Sequence, residues 1–246
     1  MRRKAENKDS ALSGEGTSSP RLSIIVPTLN EAQGIAEFLA GLQSFRRRGV
    51  EVILADGGSD DGTPDAAAPL VDRAVTCARR GRAVQMNQGA AQARGEVLLF
   101  LHADTRLPDH ADRYILEGLA AQAKRWGRFD VRLSGAALML RVVERLMNLR
   151  SRLSGIATGD QGIFVERRLF EQTGGFADMA LMEDIEFCRR VKRHGHPLCL
   201  PEPVVTSSRR WERHGIWRTI ILMWRLRLAY YFGAAPERLA RRYHGR

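Results

Sequence analysis

The stretch Val97-Leu98-Leu99-Phe100-Leu101 constrains the fold more than any other part of the chain. A short apolar run without alternation is the pattern of a strand covered on both faces, as in a parallel sheet with helices above and below. His102, Ala103 and Asp104 follow it directly. In open α/β sheets ligands collect beyond the carboxyl ends of the strands, so Asp104 stands where chemistry is done. An Asp after a strand also serves as a turn or capping residue, and the residue alone does not choose between these roles.

The N-terminal part repeats the theme. Leu22 to Val26 predicts a first strand closed by Pro27, and Thr28-Leu29-Asn30-Glu31 a turn in which Asn30 caps the next helix. Ile35, Phe38, Leu39, Leu42 and Phe45 fall at helical spacing, and Arg46 to Gly49 closes that helix. Val50 to Ala55 predicts a second strand, which leads into Asp56-Gly57-Gly58-Ser59-Asp60-Asp61-Gly62-Thr63. This glycine run is not GxGxxG and no Lys follows, so it reads as a turn rather than a phosphate loop. A short strand over 72–78, a helix over 81–93 carrying Arg82, and a helix over about 109–124 complete a β/α alternation. The expected class is α/β, a doubly wound, Rossmann-like and mostly parallel sheet.

Beyond Trp126 the pattern loosens. A strand over 129–133, a helix carrying Leu138, Val142, Leu146, Leu149 and Leu153, and a polar turn at 158–162 before Ile163-Phe164-Val165 are expected. A helix from Asp184 to His194 follows, then two strands at 198–200 and 204–206, then one basic C-terminal helix. Three acids at a helix start suit the helix dipole without any catalytic role. With no repeat and no second core, the expectation is a tail over 1–20, a single domain over 21–211 and a helical extension over 212–246.

Charge is unevenly placed. Residues 189–246 hold 14 Arg/Lys against 3 Asp/Glu, an excess equal to the whole formal charge of +11. Such a segment meets phosphates, anionic lipid or nucleic acid. Trp211, Trp217, Trp224, Tyr230 and Tyr231 interleave with the arginines, as in single-strand binders. Ile220, Leu222, Met223, Trp224, Leu226 and Leu228 read as a buried face instead, which disfavours nucleic acid. Arg218, Arg225 and Arg227 interrupt the best apolar window, 216–232, so no membrane span is expected. Cys77, Cys188 and Cys199 lack CxxC spacing and read as reduced core residues of a cytoplasmic protein.

Five motifs occur in one order: PTLNE at 27–31, ADGGSDDGT at 55–63, GRAVQMNQGA at 81–90, HADT at 102–105 and MEDIEF at 182–187. In this arrangement the chain resembles a family 2 glycosyltransferase of the GT-A fold over about residues 22–210. GDQGIFV, SSRRW and the HADT variant resemble a bacterial subgroup. The resemblance implies that Pro27, Thr28, Asn30, Glu31, Asp56, Gly57 and Arg82 hold the nucleoside of a nucleotide-diphosphate sugar, with Asp56 accepting a uracil imide N–H. His102, Ala103 and Asp104 stand at its Asp-X-Asp. There Asp104 implies a Mn²⁺ or Mg²⁺ ligand, and His102 replaces the first acid. Asp184 matches the catalytic base, and Gly159, Asp160, Gln161, Glu183, Arg210 and Trp211 match the acceptor side.

The implied reaction is single-sugar transfer with inversion to an acceptor hydroxyl or carboxylate, with a lipid-like molecule among the expected acceptors. Ser207 stands where processive members of the family carry Gln before Arg210-Trp211. The rival activity is a sugar-phosphate nucleotidyltransferase, whose Arg-bearing glycine loop after the first strand is absent from PTLNE. A nucleotide-binding protein without catalysis is the other alternative. The basic C-terminal segment implies peripheral attachment to an anionic inner membrane face.

Overall fold

The structure, a computed structural model, describes residues 20–245. The expected N-terminal tail, apart from Pro20, lies outside them. The chain runs β1 (Leu22–Thr28), α1 (Ala32–Ala40), α2 (Gln43–Arg47), β2 (Glu51–Asp56), α3 (Thr63–Ala67), β3 (Arg73–Thr76), α4 (Arg82–Gln92) and β4 (Val97–Phe100). It continues β5 (Thr105–Arg106), α5 (Ala111–Ala121), β6 (Trp126–Leu133), α6 (Leu138–Ser154), β7 (Ile163–Glu166), α7 (Arg167–Gln172), α8 (Glu183–Val191) and β8 (Leu198–Thr206). Three helices close it: α9 (Arg209–His214), α10 (Ile216–Tyr231) and α11 (Pro236–His244).

All the strands form one sheet in the order β3-β2-β1-β4-β7-β6-β8-β5. β3, β2, β1 and β4 are mutually parallel, and Thr28 pairs with Asp56 at the carboxyl ends of β1 and β2. β7 runs antiparallel to β4 and β6. The unbroken apolar strands have a direct cause. Ile24, Leu99 and Phe129 face a layer with α1, α2 and α5, while Ile25, Leu98 and Phe100 face one with α4, α7 and α8. Both pleat faces are dry, so neither needs polar residues.

Several expectations are corrected. The helix expected over 35–45 is two, α1 and α2, parted at Gly41-Leu42. Asn30 does not cap α1: it sits at φ 55, and the Ala32 N–H is taken by Asp61 at 3.0 Å. The two strands expected over 198–206 are one, β8, with a shift of register at Pro201–Pro203, where prolines lack an N–H to pair. β6 begins three residues earlier than expected. Its buried Gly127 and fully buried Arg128 hid it, the latter ion-paired with Asp130. The single C-terminal helix is three, broken at Gly215 (φ 83) and again before Pro236.

The stripe read on α6 is not core. Leu138, Leu146, Leu149 and Leu153 are all more than half exposed, and α6 buries Leu140, Val143 and Glu144 instead. On α10, Trp224 and Leu228 are likewise exposed rather than buried. Among the described residues no helix is long and apolar enough to cross a membrane. Cys77, Cys188 and Cys199 are all free thiols.

Glu51 locks the first strands together. One carboxylate oxygen accepts the Ser23 hydroxyl at 2.6 Å and the Arg94 amide at 2.7 Å; the other accepts Arg94 Nε at 2.9 Å. Burial alone would raise its carboxyl, but these bonds outweigh burial and hold it below the ordinary 4.5. A depressed carboxylate stabilises above its unfolded value, and that contribution is lost as pH falls through the folded one. Glu51→Ala is therefore expected to cost about 2 kcal/mol at neutral pH. Urea unfolding across acidic pH checks this: the gap to wild type should narrow as pH falls below 4.5.

Candidate active site

The carboxyl ends of β1, β2 and β4 share one edge because these strands are parallel. Thr28 and Asp56 are buried there. Asp56 Oδ2 accepts the amides of Gly58 and Ser59 at 2.9 and 2.8 Å, and Oδ1 the Ser59 hydroxyl at 2.5 Å. Thr28 Oγ1 is farther from Oδ1, at 3.5 Å. Asn30 joins the same turn, taking the Asp60 amide at 3.1 Å and donating its own to Ser59 at 2.8 Å. Gly57 lies against the buried Gln85, whose Nε2 donates to the Thr28 and Ala55 carbonyls. Gln85 thus ties the ends of β1 and β2. It lies inside GRAVQMNQGA, but nothing in that string distinguishes it from an exposed helix residue.

A cavity of about 510 Å³ opens beside this edge. Its polar floor holds Arg82, His102, Asp160, Glu183 and Asp184. Gly159 packs so tightly on His102 that a Cβ there would lie 2.5 Å from the imidazole. His102 Nδ1 is 3.3 Å from Asp160 Oδ1, and Arg82 Nη1 is 3.9 Å from Glu183 Oε1. Asp184, in the first turn of α8, accepts the Gly159 N–H at 2.9 Å and the Ile185 N–H at 2.7 Å. Met182, just before α8, is at φ 73, a strained conformation for such a side chain. Leu226 of α10 and Leu239 of α11 bury its side chain.

Burial pushes the Asp184 carboxyl above its ordinary 3.8; the amide bonds and Arg82 oppose this, and Asp160 adds to it. Glu183 is raised first by burial and then by the Asp184 charge, with Arg82 opposing. Asp160 goes the other way. Burial would raise it, but the His102 contact, Arg82 and Arg210 bring it below 3.8. The floor therefore separates carboxylates of different strength.

Not every expected residue faces the cavity. Gln161 is fully buried, giving its amide to Ser151 Oγ at 3.0 Å and closing the 158–161 turn against Thr158. Arg210 stacks 3.6 Å above the Tyr243 ring and donates to the Tyr243 carbonyl at 2.6 Å, while Trp211 lines the wall. His102 and Asp104 part company: His102 lines the cavity, whereas Asp104 is exposed outside its lining, beyond a turn in which the Thr105 N–H returns to the His102 carbonyl at 3.0 Å. Ala103 packs into the core below. Arg150, absent from any motif, also lines the cavity.

The family model described as glycosyl transferase family 2 matches residues 23–151. The chain belongs to that family. An uncharacterized glycosyltransferase of Mycobacterium tuberculosis is 31% identical over 187 residues, 71% of this chain and 70% of its own. A mannosyltransferase of Pyrobaculum calidifontis, in complex with GDP-Man and Mn²⁺, has a TM-score of 0.59 at 26% identity, covering 90% of this chain and 67% of that one. S. aureus TarS, in complex with UDP, has a TM-score of 0.62 at 18% identity, covering 76% of this chain; this chain spans 60% of that structure. The TarS likeness is one of fold.

Within this family 2 glycosyltransferase the Gly159 contact is directly testable. Gly159→Ala must move either His102 or the amide that holds Asp184. Misplacement of about 1 Å can cost about 10²-fold. Turnover should fall by that order while the melting temperature stays near wild type, as kinetics beside a thermal melt will show.

Proposed function

We propose that the chain transfers one sugar from a nucleoside-diphosphate sugar to an acceptor hydroxyl or carboxylate, with inversion, and that Asp184 is the base. The carrying observation is Asp184 itself: a carboxylate fixed by two amides, raised by burial, on the floor of a cavity beside the strand ends. A raised carboxylate is a stronger base near neutral pH, and such assistance is typically worth about 10²–10⁴-fold. For a hydroxyl acceptor, its proton passes to Asp184 as its oxygen bonds the anomeric carbon. The bond from that carbon to the diphosphate breaks, and its electron pair leaves with the nucleoside diphosphate. One base and no covalent intermediate give inversion.

Pro27, Thr28, Asn30, Glu31, Asp56, Gly57 and Arg82 form the donor side in this reading. Asp56 Oδ2 is taken by two amides, whereas Oδ1 accepts the Ser59 hydroxyl and only a long 3.5 Å contact from Thr28, so Oδ1 keeps a lone pair for an imide N–H of the base. Arg82 answers the donor phosphates as well as Glu183. Uracil follows the sequence reading, and the UDP complex of TarS supports it, whereas the GDP-Man complex of the mannosyltransferase favours a guanine nucleotide.

The donor set also fits a divalent ion. Among the described residues no three His, Cys, Asp or Glu converge as a metal cluster. Asp104 is exposed, its one side-chain contact being Thr105 Oγ1 at 3.4 Å. Burial raises the nearby Glu31 carboxyl, Arg209 opposes this, and the Asp104 charge adds to the rise. One exposed carboxylate suits a hard cation whose other ligands are phosphate oxygens, and Asp104 would hold it together with the donor diphosphate. When bound, Mn²⁺ or Mg²⁺ neutralises charge on the leaving diphosphate. The Mn²⁺ of the mannosyltransferase complex is consistent with this.

Asp184→Asn should lower kcat by about 10²–10⁴-fold with donor affinity kept. The acid limb of wild-type kcat should lie above 3.8, since the base works only when deprotonated and its value is raised. Near-wild-type turnover in the Asn variant would remove Asp184 from the role. Asp104→Ala should abolish the metal-dependent part of UDP or GDP binding in calorimetry, leaving the thermal melt unchanged.

A further inference from the structure

The exposed apolar side chains of this molecule are not scattered. Among the described residues, every large hydrophobic side chain with high exposure except Leu29 lies at 138–153 or 217–232. On α6 they recur as Leu138, Val142, Leu146, Leu149 and Leu153, one helical stripe. On α10 they recur as Trp217, Ile221, Trp224 and Leu228, a second stripe that Tyr231 and Phe232 extend. The two stripes meet at the cavity, where Leu149 and Leu153 (52% and 75% exposed) and Trp224 (71%) belong to its lining. Stripes of this kind are ordinarily the buried faces of their helices.

Their border is cationic. α10 contains no acidic residue, and Arg218 and Arg225 flank its stripe in solvent. Arg227 lies on the opposite side and turns into the cavity wall. Arg145 flanks the α6 stripe, and Arg213, Arg238, Arg241 and Arg242 are exposed on α9 and α11. Glu212 and Glu237 accompany the cations of α9 and α11, but a second copy of this chain would bring Arg145, Arg218 and Arg225 face to face, whereas an anionic lipid surface would attract them. Trp217 and Tyr231, at the two ends of the α10 stripe, also suit the headgroup level of a bilayer.

Inside the mouth stands Arg150. Its Nε and Nη2 are buried without a hydrogen-bond partner, and burial lowers the guanidinium below its ordinary value. The Asp184 and Asp160 charges oppose that lowering without bonding these two nitrogens, whose N–H groups are left to an anionic group that enters the cavity. Val143, Met147, Ile220 and Met223 make the walls behind it apolar. The cavity thus offers an apolar slot, a cationic gate and a carboxylate floor.

We propose that α6 and α10 together dock this enzyme on an anionic bilayer, and that its acceptor is an amphiphile with an anionic head whose apolar part lies between the two helices. The acceptor half rests on the glycosyl-transfer reading; the docking half does not.

Co-sedimentation of the full chain with phosphatidylcholine vesicles, with and without phosphatidylglycerol, tests the docking. Binding should require the anionic lipid and weaken with salt. Two double variants outside the cavity lining, Leu138→Glu with Val142→Glu and Trp217→Glu with Ile221→Glu, should each weaken it about tenfold or more. Both should keep the wild-type melt and the nucleotide-induced shift of that melt. Arg150→Gln should leave vesicle binding in place and raise KM for a long-chain anionic acceptor more than for a short soluble one.

Indifference to anionic vesicles overturns the proposal. So does loss of binding in the α10 variant alone, which would leave α6 out of the surface. A concentration-dependent dimer abolished by the same substitutions would assign the stripes to a second copy, and equal capture by single-stranded DNA would assign the cations to nucleic acid. Vesicle binding with no sugar transfer would instead count against the glycosyl-transfer reading alone.

Discussion

The amide of Gly159 donates to Asp184 at 2.9 Å while its Cα lies against the His102 ring too closely for any side chain. One residue therefore fixes the end of β4 to the start of α8, two elements far apart in sequence. That closeness sets the spacing between His102 and Asp184 on the polar floor. The Thr158–Gln161 turn that presents Gly159 is in turn held by Gln161, buried against Ser151 on α6. Gln161 thus positions the site from behind rather than forming its surface.

The second support comes from the C-terminus. Met182 adopts a backbone conformation that a bulky residue disfavours, at a cost of about 1–3 kcal/mol. Its side chain is buried by Leu226 and Leu239, so packing against α10 and α11 offsets the strain and aims Glu183 and Asp184 into the cavity. The same packing excludes water from these carboxylates, which is the leading cause of their raised values. The C-terminal helices are thereby part of the site's electrostatics as well as its wall.

Burial and exposure are traded between the faces of α6 and α10. Each helix turns one side to the body of the molecule, with Leu140 and Val143 on α6 and Thr219 and Leu226 on α10. Each leaves a second apolar side uncovered at the mouth of the cavity. A surface of this kind is unfavourable in water and neutral or favourable against hydrocarbon.

The sequence by itself determined the layered α/β body, because strands dry on both faces must be apolar throughout and helices packed on them must repeat every three or four residues. It also determined which residues reach the strand ends: Thr28, Asp56, His102 and Asp104 follow apolar runs whose ends a parallel sheet brings to one edge. The tertiary structure alone decided the rest. That Arg150 points unpaired into a cavity, that Gln85 and Gln161 face inward, and that His102 separates from Asp104 depend on contacts between distant elements. The helical stripe of α6 reads as core because periodicity reports that one face is apolar but not what covers it. Only the placement of β6, α9 and α10 around α6 shows that another face was buried and this one left open.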